Sequence, residues 1–211
     1  MEYISIGDPK IGIRVYENAI KTSQKPIEII EKSIQSNIHP LIQWSPALVG
    51  YSQAMPTYRN CWDCKLDAKM VSAMNDECFE FKTMFSEISM SIGECVENYS
   101  QQYNLGLQYM EAINFVKYDV GEFFKTHSDH GFSYVCTVSS IAYFNENFEG
   151  GELYFNYVNE TIKPKEGRIV VFPSNFIYSH ASLPVKSGVK YSAVTMFDYN
   201  DTNHKAGGFA Y

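Results

Sequence analysis

His127-Ser128-Asp129 is the stretch of this chain best suited to chemistry, because a second histidine, His180, and a basic residue, Lys190, follow it at intervals that suit a mononuclear metal site. Two imidazoles and one carboxylate on one face of an ion leave the opposite coordination positions open, the arrangement of non-haem Fe(II) centres that handle dioxygen. In an extended segment residues two apart face the same way, so His127 and Asp129 can reach one ion while Ser128 points outward. The third ligand has to come from another strand. His180 lies between Phe172-Pro173-Ser174-Asn175 and the run that begins at Lys190, which places it at a strand edge where a loop meets the mouth of a barrel. A His-x-Asp alone is weak evidence, since a histidine in an aromatic-rich domain is more often a hydrogen-bonded core or surface residue. Joined by His180, Lys190 and the glycines between them, it points to an oxygenase.

Such a site needs a rigid frame, and the second half of the chain reads as one. After Gly106 come short β-type runs, Ile113 to Tyr118, Thr137 to Phe144, Glu152 to Tyr157, Arg168 to Phe172 and Lys190 to Tyr199, separated by Gly, Asn, Pro and Asp. Short strands broken at turns, in a chain whose aromatic content is 15%, predict a sandwich or jelly roll. Asn145 to Gly151 reads as a hairpin connection whose two glycines are free to take positive φ. The first half reads as helices laid on the sheet. Pro26 suits a first turn, Ser23 can cap, and Ile27, Ile30, Ile34 and Ile38 recur at helical spacing, predicting a helix over about 24–36. Beyond Asn75-Asp76, Phe81, Met84, Phe85, Ile88, Ile92, Cys95, Val96 and Tyr99 form one apolar stripe of a longer helix.

At 211 residues, 45% of them hydrophobic, the chain reads as a single domain over 1–211, mainly β with flanking helices (α+β). Helical support spans about 1–108 and the jelly-roll core about 109–199. A formal charge of -7 argues against nucleic acid as a partner. The opening residues lack a signal-peptide pattern and no run of about 18 apolar residues occurs, so no membrane association is expected. Five scattered cysteines fit a reducing, cytoplasmic setting.

Read in order, Tyr118-Asp119-Val120-Gly121-Glu122-Phe123-Phe124-Lys125-Thr126-His127-Ser128-Asp129, Tyr143-Phe144-Asn145 with Phe148-Glu149-Gly150-Gly151-Glu152-Leu153, Val171-Phe172-Pro173-Ser174 with His180, and Gly188-Val189-Lys190-Tyr191-Ser192 resemble the motifs of the prolyl 4-hydroxylase branch of the 2-oxoglutarate and Fe(II)-dependent dioxygenases. The resemblance covers about residues 110–198. It implies a double-stranded β-helix (jelly roll, cupin-like) that holds Fe(II) through His127, Asp129 and His180. It further implies that Lys190 pairs with the distal carboxylate of 2-oxoglutarate, and that the Tyr118 phenol donates to an oxygen of that co-substrate. The implied reaction uses dioxygen, with ascorbate as a candidate reductant. It converts 2-oxoglutarate to succinate and carbon dioxide and hydroxylates a substrate C–H, here a prolyl residue of a peptide or protein. A free amino acid or other small molecule is the rival substrate, and a non-catalytic jelly-roll binding module the rival class; intact His127, Asp129, His180 and Lys190 argue against the latter.

Three positions depart from that branch: Phe124 stands where tyrosine is usual, Cys136 where arginine is frequent and Met196 where tryptophan is frequent. These departures bear on the substrate more than on the hydroxylation. Phe124 and Met196, the latter on the Lys190 face of its strand, are candidate substrate contacts, as is Arg59, placed on a loop that covers the substrate. Cys61-Trp62-Asp63-Cys64 has C-x-x-C spacing without a second pair, and reads as loop or packing residues rather than zinc or redox ligands. His130 faces away from the ligands, and His39 and His204 read as surface histidines.

Overall fold

The computed structural model describes residues 1–6, 12–50, 53–131 and 135–202, so His204 lies outside the described residues. In chain order the framing elements are β1 (Arg14–Tyr16), α1 (Pro26–Gln35), β2 (Arg59–Asn60), β3 (Trp62–Leu66), α2 (Ala68–Ser72), α3 (Phe79–Tyr103), β4 (Ile113–Tyr118), β5 (Phe123–His127), β6 (Val138–Tyr143), β7 (Leu153–Phe155), β8 (Glu160–Ile162), β9 (Ile169–Pro173), β10 (His180–Ser182) and β11 (Lys190–Asp198). The larger sheet runs β1-β9-β6-β11-β4-β3 through its middle and the smaller runs β8-β7-β10-β5-β2. The two form the antiparallel sandwich of a double-stranded β-helix.

Alternation along each strand builds two cores. In β9, Val170 and Phe172 point between the sheets, where they meet Val15, Ile141 and Tyr143 of the larger sheet and Leu153, Phe155 and Ile162 of the smaller. Ile169 and Val171 point the other way and join Phe115, Ala142, Ala193 and the apolar stripe of α3. A strand buried on both faces shows no polar alternation, which is why Ile169-Val170-Val171-Phe172 is a continuous apolar run. Phe172 is fully buried, and its truncation to alanine would cost about 3–5 kcal/mol. The stripe of α3 is buried along its length, and Asn104 ends the helix in the left-handed conformation (φ 51°), one that Asn tolerates better than most residues. No helix among the described residues is long and apolar enough to cross a membrane.

The structure departs from the sequence expectations in three places. The first 108 residues contribute strands as well as helices: β1 pairs with β9 and β3 with β4, which covers the backbone edges of those two strands. Ser23 does not cap α1. Its hydroxyl and N–H go to Glu87 on α3, which ties the approach to α1 onto the long helix. Residues 145–151 are no hairpin, since β6 and β7 belong to different sheets. They cross between sheets, pinned where Asn145 Nδ2 donates to the Val189 carbonyl (2.7 Å), and Gly150 and Gly151 take φ 78° and 67° as the crossing requires.

Candidate metal centre

His127 closes β5 and His180 opens β10, and the two residues are cross-strand partners, so antiparallel pairing alone brings the imidazoles together. The register shifts between Phe124 and His127, and the chain leaves the strand in time to swing Asp129 beneath both rings. His127 Nε2 lies 3.4 Å from Asp129 Oδ1 and His180 Nε2 lies 3.8 Å from Asp129 Oδ2. One ligand atom from each residue falls within 4.8 Å of the others. Ligands about 2.1 Å from an ion and at right angles are about 3 Å apart, so modest closure suffices for coordination.

The other ring nitrogens fix the tautomers. His127 Nδ1 is 2.8 Å from the Lys125 carbonyl and His180 Nδ1 is 3.0 Å from the Tyr178 carbonyl. A carbonyl can only accept, so each Nδ1 carries the proton and each Nε2 lone pair is left for a metal. Burial pushes the His180 imidazole down to about 4, which keeps it neutral as a ligand must be. Burial alone would raise the Asp129 carboxyl, but the His180 and His127 rings and the Ser139 hydroxyl outweigh it and hold it well below the usual range. Ser139 Oγ donates to Asp129 Oδ2 at 2.6 Å. The donor set, its protonation and its supporting contacts all fit Fe(II).

These residues open onto a cavity of about 550 Å³. Lys190, 3% exposed, also lines it. Its ammonium donates to the Gly151 carbonyl (3.0 Å) and the Ser182 hydroxyl, and rests 4.1 Å from the centre of the Tyr118 ring. Among the described residues no carboxylate lies within ion-pair distance of it, and burial pushes it down to about 7. A buried cation without a counter-charge is unfavourable unless a ligand supplies one. Burial raises the Tyr118 phenol well above its ordinary value, so it enters the cavity as a neutral donor.

The cavity wall gathers the expected substrate contacts. Phe124 stacks on His127 at a centroid distance of 3.6 Å, and Met196 follows Lys190, Ser192 and Val194 along the inward face of β11. Arg59 is on strand β2 rather than a covering loop, because its backbone pairs with Phe124. Its guanidinium bonds the Leu48 carbonyl (2.6 Å) and Asp63 (3.3 Å) and lies 4.9 Å from the Phe124 ring centre.

Other expectations shift. Ser128 does not point outward: its hydroxyl is directed at the carbonyls of His130 and Ser174, fastening the turn that aims Asp129. Cys136 is buried off the cavity with its thiol toward Ser174, and His130 turns away to the Cys136 carbonyl. His39 accepts from the Leu41 N–H. Cys61 and Cys64 fall in separate cores on and beside β3, so they form no pair, and both lie in packing.

Sequence reasoning missed Ser139, Ser182, Asp63, Lys65, Glu111 and Asn114 as cavity or supporting residues. The available signal was polar residues at inward positions of strands otherwise apolar, as in Ile113-Asn114-Phe115-Val116 and Val138-Ser139-Ser140-Ile141.

Residues 113–198 match the family model of the 2OG-Fe(II) oxygenase superfamily. A protein of Acanthamoeba polyphaga mimivirus named "Putative prolyl 4-hydroxylase" is 29% identical over 123 residues, 48% of this chain and 50% of that protein; the chain spans about half the length of this curated relative. Among solved structures, a Trichoplax adhaerens prolyl hydroxylase in complex with a hypoxia inducible factor oxygen degradation domain peptide fragment superposes with TM-score 0.67 at 16% identity, covering 89% of this chain and 83% of that one. A Pseudomonas putida prolyl-4-hydroxylase gives 0.63 at 20%, covering 88% and 92%. The viral collagen prolyl hydroxylase of Paramecium Bursaria Chlorella virus-1, solved as a 2OG complex, gives 0.60 at 17%, covering 88% and 94%. At these identities the structural likeness is one of fold, whereas the match over 113–198 runs through every proposed metal ligand and Lys190. Over residues 113–198 the chain is similar to the 2OG-Fe(II) oxygenase superfamily, and the relatives it resembles are named as prolyl hydroxylases.

Proposed function

We propose that the chain is an Fe(II)- and 2-oxoglutarate-dependent dioxygenase that hydroxylates prolyl residues in a peptide or protein, with decarboxylation of 2-oxoglutarate to succinate. The observation that carries this reading is Lys190, a buried ammonium without a carboxylate partner that lines the same cavity as a His-Asp-His donor set. A dicarboxylate with a keto-acid end suits both features at once.

His127, Asp129 and His180 would hold the iron, which when bound supplies the coordination sites for dioxygen chemistry. Lys190 binds the distal carboxylate, and the Tyr118 phenol donates to a co-substrate oxygen. Val116, Ile141 and Leu153 make much of the remaining wall apolar and limit water near the reacting groups. Phe124, Met196 and Arg59 face the substrate. Support for a polypeptide substrate comes from the Trichoplax neighbour, solved with a peptide bound. The five buried, unbridged cysteines support a reducing, cytoplasmic setting.

The test has two steps. Anaerobic Fe(II) and 2-oxoglutarate together should give a metal-to-ligand charge-transfer band in the visible, absent in His127→Ala. Admitting air with proline-rich peptides should yield a sixteen-dalton gain matched by succinate. A missing band removes the cofactor assignment; a band with succinate but no peptide product removes the prolyl substrate.

A further inference from the structure

Lys190 is a nucleophile as well as a charge. An ammonium has three N–H donors; here one goes to the Gly151 carbonyl (3.0 Å) and one to the Ser182 hydroxyl, and the side chain lines the cavity. Burial drives the proton off near pH 7, whereas an ordinary lysine holds it to 10.5. An unprotonated, desolvated lysine amine of this kind attacks electrophilic carbon.

The groups around the amine decide which electrophile suits it. The Tyr118 phenol, kept neutral by burial, bonds the Ser182 and Cys61 side chains. The Cys61 thiol is raised by burial, and Glu152 supplies the carboxylate charge that acts on Lys190. The Arg59 guanidinium favours the anionic form of both Cys61 and Tyr118, so a positive field reaches this end of the cavity. Two hydroxyl donors, a carbonyl acceptor and that field are the complement of a carboxylate borne on an N–H. The smallest electrophile that converts an amine into such a group is carbon dioxide.

We propose that Lys190 is a carbon dioxide site, whose amine forms a carbamate that puts a covalent carboxylate where the distal carboxylate of 2-oxoglutarate would lie. The nitrogen lone pair forms the N–C bond, one C=O electron pair moves onto oxygen, and the nitrogen gives a proton to solvent, with nothing oxidised or reduced. The remaining N–H keeps the Gly151 carbonyl, while the Tyr118 and Ser182 hydroxyls donate to the new carboxylate. The residue changes from a cation that attracts a dicarboxylate to an anion that repels it. The adduct itself needs only the amine and the cavity; its competition with 2-oxoglutarate rests on the co-substrate reading above. That reading makes carbon dioxide a product released in this same cavity, so the adduct slows turnover as product accumulates.

The test gives the full chain carbon-labelled carbon dioxide about one pH unit above the Lys190 midpoint, where most of the amine is unprotonated, and follows the label by NMR. In protein made with lysine labelled at the side-chain nitrogen, the carbamate carbon should be split by that nitrogen, which bicarbonate held by charge alone cannot show. Lys190→Arg should remove the split resonance. Tyr118→Phe should keep it at about tenfold weaker carbon dioxide affinity, the factor carried by one hydrogen bond to a charged group. Alkylating the carbamate and mapping it by peptide mass places the adduct in wild type, so the assignment holds even where a variant fails to fold. With Fe(II) bound, the visible band should report an apparent Kd for 2-oxoglutarate raised about twofold at the carbon dioxide concentration that half-fills the resonance, with no such rise in Lys190→Arg. No split resonance in wild type that still gives the band, or an adduct mapped only elsewhere, overturns the site and leaves the co-substrate reading intact. A resonance that survives saturating 2-oxoglutarate overturns the competition. A split resonance on Lys190 in protein that gives no band upholds the carbon dioxide site and removes the co-substrate reading, and the competition with it.

Discussion

Lys190 and Tyr118 are cross-strand partners on β11 and β4, and the ammonium of one rests 4.1 Å from the ring centre of the other. A cation over an aromatic face gains about 0.5–2 kcal/mol, which does not offset the desolvation of a fully buried ammonium, and the group is pushed down to about 7. The ring and the Ser182 and Gly151 oxygens orient the ammonium without neutralising it. The neutralising charge is left to the ligand.

That arrangement makes 2-oxoglutarate binding depend on pH. The ionisable groups near Lys190 are the Cys61 thiol, which burial raises, the Tyr118 phenol, raised well above its ordinary value, and Glu152, whose charge favours the ammonium. In the empty protein Lys190 loses its proton as pH rises through about 7, whereas a bound dicarboxylate requires the charged form. Binding therefore takes up a proton, and affinity should fall above that point by at most about tenfold per pH unit. Titrating the visible band from about pH 6.5 to 8.5 reads this directly, and Lys190→Arg should flatten the curve because a guanidinium stays charged. A flat wild-type curve would exclude the mechanism. Stability of the empty protein should move the other way, rising with pH between about 7 and the unfolded value of 10.5, because there the unfolded chain holds the extra proton.

Ser139 should matter to iron without touching it. Its hydroxyl donates to Asp129 Oδ2 at 2.6 Å and lies 2.8 Å from Ser174 Oγ, so it sets the angle at which the carboxylate meets the imidazoles. Ser139→Ala should weaken Fe(II) binding by about 10–100-fold, the usual effect of losing a hydrogen bond to a ligating group, while shifting the melting temperature by only a few degrees. Unchanged Fe(II) affinity in a metal titration would mean that Asp129 is held by the imidazoles alone.

Gly150 links backbone geometry to the co-substrate end of the cavity. It has φ 78°, and a Cβ there would collide with the Pro184 carbonyl. Gly150→Ala must displace the crossing between sheets, whose next residue supplies the carbonyl that holds Lys190. Destabilisation above about 1 kcal/mol is expected, together with weaker 2-oxoglutarate binding. Gly167→Ala is the control: its φ is 77° but its nearest neighbour is 3.4 Å away, so it should lower stability and leave affinity alone. Equal loss of affinity in both variants would show a general softening instead.

The legible parts of the molecule were those with a short-range signal. The α3 stripe and the strands from Ile113 onward follow period 3.6 or uninterrupted apolar runs, and His127 and Asp129 are two residues apart, whereas His180 was tied to them by the order of the motifs around it, because its pairing with His127 joins strands far apart in the chain. β1 and β3 were not legible, since Arg14-Val15-Tyr16 and Trp62 to Leu66 acquire strand character only from long-range partners in β9 and β4. The crossing at 145–151 was misread for the same reason: two glycines mark a turn, but which sheet the chain enters next depends on Glu149 and Gly150 pairing with Ser187 and Val185. The Arg59–Asp63–Asn114 wall draws on three strands, and each residue alone is unremarkable in the sequence.

Phe124 separates the metal from the substrate wall, and its variants should separate the two roles. Its ring lies nearly parallel to His127, 16° apart at 3.6 Å, meets Tyr58 edge-on at 5.8 Å and carries the Arg59 guanidinium at 4.9 Å. Stacking of this kind contributes about 0.5–1.5 kcal/mol beyond area burial, so Phe124→Ala should weaken Fe(II) binding by roughly two- to tenfold and also loosen Arg59. Phe124→Tyr keeps the ring and adds a hydroxyl facing the cavity, so Fe(II) affinity should hold while peptide KM changes. Metal titration of both variants, set beside peptide KM, decides the matter. If Phe124→Ala binds Fe(II) as wild type does, the Lys125 carbonyl alone orients His127 and the ring serves the substrate side only.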